Sequence, residues 1–271
     1  MESFICEKTG KLSKLALNYL ENLSYSTFCK LLRNKDVKVN GKRVNQDLML
    51  CVGDKVDVYY VPKKVDKYNL IYSDQNVVVI DKKSGYTSEN IFEEICNSFC
   101  SARFIHRLDR NTSGLMIFAL NDESEKLLLE GFKNHDFIKQ YIAVVYGKMP
   151  KQKDILTAYL LKDSTTSTVR IFDNKIKDSV MIKTGYEVIK FEDNISTLLV
   201  TLYTGKTHQI RAHLAYLGHF IIGDGKYGNN QINKKLGVKS QMLNSYKLTL
   251  KFSANSPLNY LNNKTFISKL G

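Results

Sequence analysis

The stretch that most constrains this chain runs from His106 to Leu120, where nine mostly polar residues, HRLDRNTSG, lead directly into the apolar hexapeptide LMIFAL. A short apolar run bounded by turn residues reads as a buried strand. Asn111, Thr112, Ser113 and Gly114 combine side-chain acceptors with backbone freedom and read as the turn before it. The carboxylate of Asp109 is therefore expected on a loop at a strand's edge, bracketed in sequence by Arg107 and Arg110. Two guanidinium groups close to one carboxylate would hold it ionised and aimed, as an anionic nucleophile requires. Arg-x-Asp-Arg is also the pattern of an ordinary surface ion-pair cluster, and spacing alone does not decide between the two.

Charge narrows the partners. The formal net charge of +13 suggests a polyanion, bound with an affinity that weakens steeply with salt. Of the seven arginines, against 33 lysines, four are Arg103, Arg107, Arg110 and Arg211. Where lysine is the default cation, arginine marks places that need a planar fork for carboxylate, phosphate or base stacking. Five cysteines without a CxxC pair argue against a disulfide framework or a zinc ribbon, and Cys96 with Cys100 reads as helix packing. No run approaches the ~18 apolar residues of a membrane span, and MESFICEKTG lacks the apolar region of a leader, so no membrane and a cytoplasmic location are expected.

Length allows one large domain and a small one. Leu12, Leu15, Ala16, Tyr19 and Leu20 share one face of a first helix, and Ser24 or Ser26 can cap a second that carries Phe28, Leu31 and Leu32. Asn40-Gly41 between Val37/Val39 and Lys42 announces a tight hairpin, and Val56 and Val58 alternate after Gly53-Asp54. Lys30, Arg33, Lys35, Lys38, Lys42 and Arg43 crowd the helix and hairpin, as a phosphate-contacting face would require, although a solvated charged face has the same composition. The expected division is 1–62, a linker at 63–68, and 69–271.

In the larger part, Asn69–Ser73 and Asn76–Asp81 read as a strand pair followed by the turn KKSG, and residues 90–99 as a helix bearing Ile91 and Ile95. Phe137–Tyr146 alternates, placing Tyr141, Ala143 and Val145 on one face. Strands are expected at 184–189 and 197–203, then a helix capped by Thr207 whose Ile210, Leu214 and Leu217 are buried and which stops at Gly218. Arg211 projects beside that stripe, within reach of a partly buried carboxylate. His208 and His213, five apart, lack the spacing of a helical zinc pair and read as structural.

Several of these blocks carry a resemblance. HRLDRNTSGLMIFA resembles the signature of the RluA family of RNA pseudouridine synthases, KQYIAVVYG its Lys-x-Tyr-x-Ala segment, and TGKTHQIRAH with Gly223, Asp224, Tyr227 and Gly228 a third block. Residues 23–58, with VKVNGKRV and VGDKVDV, resemble the alpha-L RNA-binding module of a small-subunit ribosomal protein. Lys83 replaces a family proline, Lys206 an arginine, and Asn244-Ser245 a frequent His-Ala pair. The resemblance implies an α+β pseudouridine-synthase fold, a central and mainly antiparallel mixed sheet with flanking helices and a cleft across its middle, preceded by the small RNA-binding module.

It also implies roles. Asp109, Tyr141 and Arg211 would be catalytic: the aspartate as nucleophile or ion-pair stabiliser, at the sugar or at the ring; the tyrosine stacked on the base; the arginine as partner of the aspartate. Arg107, His106, Ile210 and Thr112 would bind substrate, with Arg107 stacking in the gap left by a flipped base and Ile210 flooring the pocket. Lys30, Arg33, Lys38, Lys42 and Arg43 would contact RNA. No cofactor and no metal are expected, since the isomerisation involves no redox change, and a monomer is assumed. RNA is the expected partner, large-subunit ribosomal RNA ahead of transfer RNA. Two other functions fit the same residues: an RNA-binding protein without chemistry, and a hydrolase that releases free uracil.

Overall fold

The computed structural model describes residues 1–20, 23–60, 66–163, 165, 167–270. The chain divides into two compact units, Met1–Asp66 and Lys67–Gly271. Residues 63–65 of the expected linker lie outside the described residues, while Lys67 and Tyr68 belong to the second unit.

The first unit opens with two strands that the helical reading of this segment omits, β1 (Glu2–Ile5) and β2 (Gly10–Lys11), before α1 (Leu12–Tyr19) and α2 (Tyr25–Arg33). Ser24 caps α2 by accepting the Thr27 N–H at 3.1 Å. Then follow β3 (Val37–Val39), β4 (Lys42–Val44), β5 (Met49–Leu50) and β6 (Lys55–Val58). The antiparallel sheet runs β1-β6-β3-β4, with β2 paired to β5. Asn40 and Gly41 both have positive φ, 50° and 82°, the turn that matches strand twist in a two-residue hairpin. Leu12, Leu15, Ala16, Phe28, Val56 and Val58 form the core between helices and sheet.

The second unit begins with the antiparallel pair β7 (Tyr68–Ser73) and β8 (Val77–Lys82), then α3 (Ser88–Ser98), β9 (Arg103–Phe104), β10 (Ser113–Ala119) and α4 (Asp122–Lys133). β11 (Ile138–Tyr146), β12 (Lys153–Asp163), β13 (Thr168–Phe172), β14 (Val180–Glu192) and β15 (Ile195–Leu202) form a second antiparallel run. α5 (Gln209–Tyr216), α6 (Asn230–Lys235), β16 (Leu243–Thr249) and β17 (Thr265–Ile267) complete it. The sheet order is β13-β12-β14-β15-β11-β16-β10-β8-β7, with β17 on β16 and β9 on β10. Among the described residues every pairing is antiparallel except β10 with β16. β16, late in the chain, thus lies between two sets of strands that precede it in sequence.

Both faces of the centre are covered. Val78, Ile80, Met116 and Phe118 pack under α3 and α5 with Ile91, Ile95, Ile210 and Leu214, while Val77, Val79, Leu115 and Ile117 pack on the other face with Leu128 of α4. That two-sided burial explains the unbroken VVVI and LMIF runs, each side chain contributing about 1.5–3 kcal/mol. The expected start of α5 is corrected: the N-cap is His208, at φ 54°, without a side-chain cap bond, so Thr207 does not cap it. Gln209 serves the turn instead, its side-chain oxygen accepting the Lys206 N–H at 3.1 Å. Leu217 follows the helix and is exposed rather than part of the buried stripe. No helix among the described residues is long and apolar enough to cross a membrane.

Candidate active site

The loop from His106 to Thr112 is held from beneath by the KKSG turn after β8. Lys82 is fully buried, and its ammonium donates to the carbonyls of Lys83, Tyr86 and Arg110 at 2.9–3.1 Å. Burial pushes it down to about 8, against the raising influence of the Asp109 charge. Gly85 donates its N–H to the Arg110 carbonyl, Ser84 Oγ donates to that of Asn111, and Ser88 Oγ bridges Leu108 N and O. Lys83 does more than fill a proline's place, since its N–H donates to Lys67 O at 2.9 Å, a bond closed to proline.

The expected bracketing of Asp109 by its sequence neighbours does not form. Arg110 turns back to donate to Gly85 O at 2.9 Å, and Arg107 points outward to Glu89 at 3.3 Å. The carboxylate is held instead by α5. Arg211 Nη1 donates to Asp109 Oδ2 at 2.7 Å, while its Nε and Nη2 grip both oxygens of Asp224 at 2.7 and 2.9 Å. Asp224 is fully buried and also accepts the N–H groups of Lys226 and Tyr227. Burial alone would raise it, but Arg211 and those amides bring it below the usual carboxylate range. On Arg211 the balance is similar: burial lowers it, and the two carboxylates more than reverse that.

His208 flanks the other carboxylate oxygen, its Nε2 standing 3.8 Å from Asp109 Oδ1 and its Nδ1 hydrogen-bonded to the Tyr227 hydroxyl at 2.9 Å. Desolvation is the largest influence on the imidazole and lowers it. His208 thus stands beside the carboxylate while its ring is tied to Tyr227. Tyr141, on the inward face of β11, is 8% exposed and held at about 12, chiefly by burial.

These groups meet in a cleft of about 650 Å³. Ile210, Leu108, Leu202 and Leu243 give it apolar walls, and Arg107, His106 and Thr112 also line it. His106 is occupied structurally: its Nε2 accepts the Ile117 N–H at 3.1 Å, its ring stacks on Phe132, and burial pushes it down to about 3. Thr112 is buried, donating its N–H to Asp109 O and accepting from Gln241. Lys30, Arg33, Lys42 and Arg43 are exposed on the first unit, while Lys38 lies over the Tyr59 ring at 5.1 Å. Among the described residues none of these five pairs with a carboxylate.

Sequence reasoning missed Asp224 as a partner of Arg211, although Gly223-Asp224 stood out as a motif. Its signal is the glycine: Gly223 has φ 79°, and a Cβ there would lie 1.9 Å from Ser240 O, so the turn presenting Asp224 tolerates no side chain. What the site offers chemically is one anion, fixed by a buried cation, beside an aromatic ring in a partly dry cleft.

Residues 76–216 match the family model described as RNA pseudouridylate synthase. An RNA pseudouridine synthase of Mycoplasma capricolum subsp. capricolum, named as uncharacterized, is 30% identical over 98% of this chain and 97% of its own length. Ribosomal large subunit pseudouridine synthase C of Rickettsia conorii is 31% identical over 83% of this chain and 84% of its own. The solved structure of human RNA Pseudouridylate Synthase Domain Containing 1 superposes with a TM-score of 0.62 at 25% identity, covering 70% of this chain and 80% of that one. Sequence likeness over almost the whole length and a shared architecture lead to one assignment: the chain belongs to the RNA pseudouridylate synthase family.

Proposed function

We propose that this chain converts uridines of structured RNA, in the first place large-subunit ribosomal RNA, to pseudouridine, acting in the cytoplasm as a monomer and without a metal. In this reaction the bond from ribose C1′ to uracil N1 breaks, the base turns, and C1′ rejoins at C5. The C5 proton leaves and N1 gains one, so no redox partner is needed. Asp109 is the anion at the reacting bond, and Arg211 keeps it charged and oriented. Tyr141 is the face on which the uracil stacks. The carrying observation is the single guanidinium shared between Asp109 and buried Asp224. Removing such a cation would leave an uncompensated buried charge. Ribosomal RNA as substrate is supported by relatives named as ribosomal large subunit pseudouridine synthases, such as the Rickettsia conorii protein.

A paired uridine must leave its helix to reach this cleft, at a cost of a few kcal/mol. Arg107, exposed at the cleft's edge, is placed in this reading to stack in the vacated position. The first unit, an alpha-L-like module, adds phosphate contacts through Lys30, Arg33, Lys38, Lys42 and Arg43. Deleting it should weaken binding and flatten its salt dependence.

The test is pseudouridine mapping by carbodiimide labelling on total RNA from cells carrying the native chain or Asp109→Asn. One or a few uridines that lose their mark in the variant establish reaction and target together. No change, with RNA still co-purifying, makes the chain an RNA-binding protein. Free uracil released by the purified chain makes it a hydrolase.

A further inference from the structure

Two lysines of the second unit are almost wholly withdrawn from solvent, and they are treated differently. Lys82 satisfies three backbone carbonyls. Lys139, 8% exposed on β11, has no such partners: among the described residues no oxygen accepts a hydrogen bond from its ammonium, which lies over the Phe132 ring at 5.5 Å. Burial lowers it, and its charge in turn disfavours protonation of His106 and His135. Lys139 lines the cleft, and among the described residues no carboxylate pairs with its charge. An ammonium so placed is what an incoming anion needs.

The position says which anion. Lys139 and Tyr141 lie on the same face of β11, two residues apart, which is about 7 Å along a strand. Both line the cleft, together with Lys206 and His135. Lys206 is exposed, and its charge, like that of Lys139, disfavours the protonated form of His135. Among the described residues the cleft is lined by seven lysines and arginines and one carboxylate, Asp109, already held by Arg211. A base stacked on Tyr141 brings its own sugar–phosphate chain within reach of a lysyl side chain one strand repeat away.

Resting on the reading of the site given above, we propose that Lys139, with Lys206 at the rim, forms a phosphate subsite that grips the RNA backbone next to the uridine stacked on Tyr141. Phosphate contacts of this kind set register rather than sequence.

The test titrates the full chain, native and as Lys139→Gln, Lys139→Met and Lys139→Arg, with a fluorescein-labelled oligouridylate of about a dozen nucleotides at several KCl concentrations, read by anisotropy. Gln and Met should each lower the slope of log affinity against log salt by about 0.7, the share of one phosphate on a single strand, and Arg should retain it. Met should weaken RNA binding as Gln does. An unchanged slope in Gln and Met overturns the subsite. So does a slope that Arg fails to retain, which makes Lys139 a packing residue. The reaction is scored separately by the mapping experiment: a slope change without isomerisation sinks the reaction and keeps the subsite, and the reverse sinks only the subsite.

Discussion

Gly114 and Ser245 face each other across the parallel seam so closely that a Cβ on Gly114 would stand 2.4 Å from the Ser245 carbonyl oxygen. Gly114 also has φ 110°, where other residues are strained. The loop that carries Asp109 enters the sheet at this point, and Tyr141 pairs with the same Ser245 from the other side. We therefore expect Gly114→Ala to destabilise the second unit by about 2–4 kcal/mol, combining backbone strain with overpacking. Because a displacement of about 1 Å in a reacting group can cost on the order of 100-fold, activity should fall by about that factor even where the chain stays folded. Urea unfolding and turnover on total RNA measure the two effects separately.

The second carboxylate on Arg211 leads to a different expectation. Asp224→Asn leaves a buried guanidinium with only Asp109 as counter-charge, and breaking such a pair from one side typically costs about 3–5 kcal/mol. Arg211→Lys should not substitute, since a point charge cannot hold Asp224 through two nitrogens and Asp109 through a third. Both variants should lose turnover by more than they lose RNA affinity. Equal losses in the two would show that Asp224 merely supports the fold.

His213 ties stability to pH. It is buried, hydrogen-bonded to Thr184 Oγ1 at 3.1 Å, and burial pushes it down to about 4 from an ordinary 6.5. Between those values the unfolded chain takes up a proton that the folded chain refuses, so stability falls as the pH drops from 6.5 toward 4, by up to about 1.4 kcal/mol per unit. His106, pushed to about 3, acts in the same direction. Asp224, lowered below 3.8, contributes its loss only at more acidic pH. Comparing urea midpoints at pH 7 and pH 5 should show a drop that His213→Gln reduces, and an undiminished drop in that variant would refute the assignment.

The parts of this molecule legible in the sequence are those governed by local rules. Asn40-Gly41 prescribes its hairpin because both residues accept positive φ angles cheaply, and alternation along Phe137–Tyr146 puts Tyr141 inward whatever the neighbouring strands are. The Arg211–Asp109 contact, between residues 102 apart, came from the resemblance of two blocks and not from any spacing. What escaped depends on tertiary company. Arg107 and Arg110 flank Asp109 in sequence, yet their side chains are claimed by Glu89 and Gly85, and nothing local foretells that. Nothing local foretells the burial of Lys82 and Lys139 either. Thr207 resembles a cap, but the left-handed backbone at His208 takes that position.

The Tyr141 hydroxyl separates stacking from proton transfer. Tyr141→Phe keeps the ring, so RNA affinity should stay near that of the native chain, whereas Tyr141→Ala should lose about 1–3 kcal/mol of stacking. If the hydroxyl moves a proton, Tyr141→Phe should cut turnover on the order of 100-fold or more. Held at about 12, the phenol is neutral near pH 7, so any such role is that of a hydrogen-bonded shuttle and should add no ionisation to the neutral part of the rate profile.

Arg107 offers the cleanest distinction between fold and function, because its environment gives the fold little reason to need it. Its side chain is 71% exposed and its ion pair with Glu89 spans 3.3 Å, a surface contact of small worth. Arg107→Ala should therefore change stability by no more than about 0.5 kcal/mol. If the guanidinium stacks where a flipped uridine has left its helix, the same change should depress turnover on a hairpin far more than on a single strand that needs no flipping. Arg107→Lys should behave like Ala on the hairpin, since an ammonium keeps the charge but not the stacking plane. Equal losses on the two RNAs, or full rescue by lysine, would instead make Arg107 a phosphate contact.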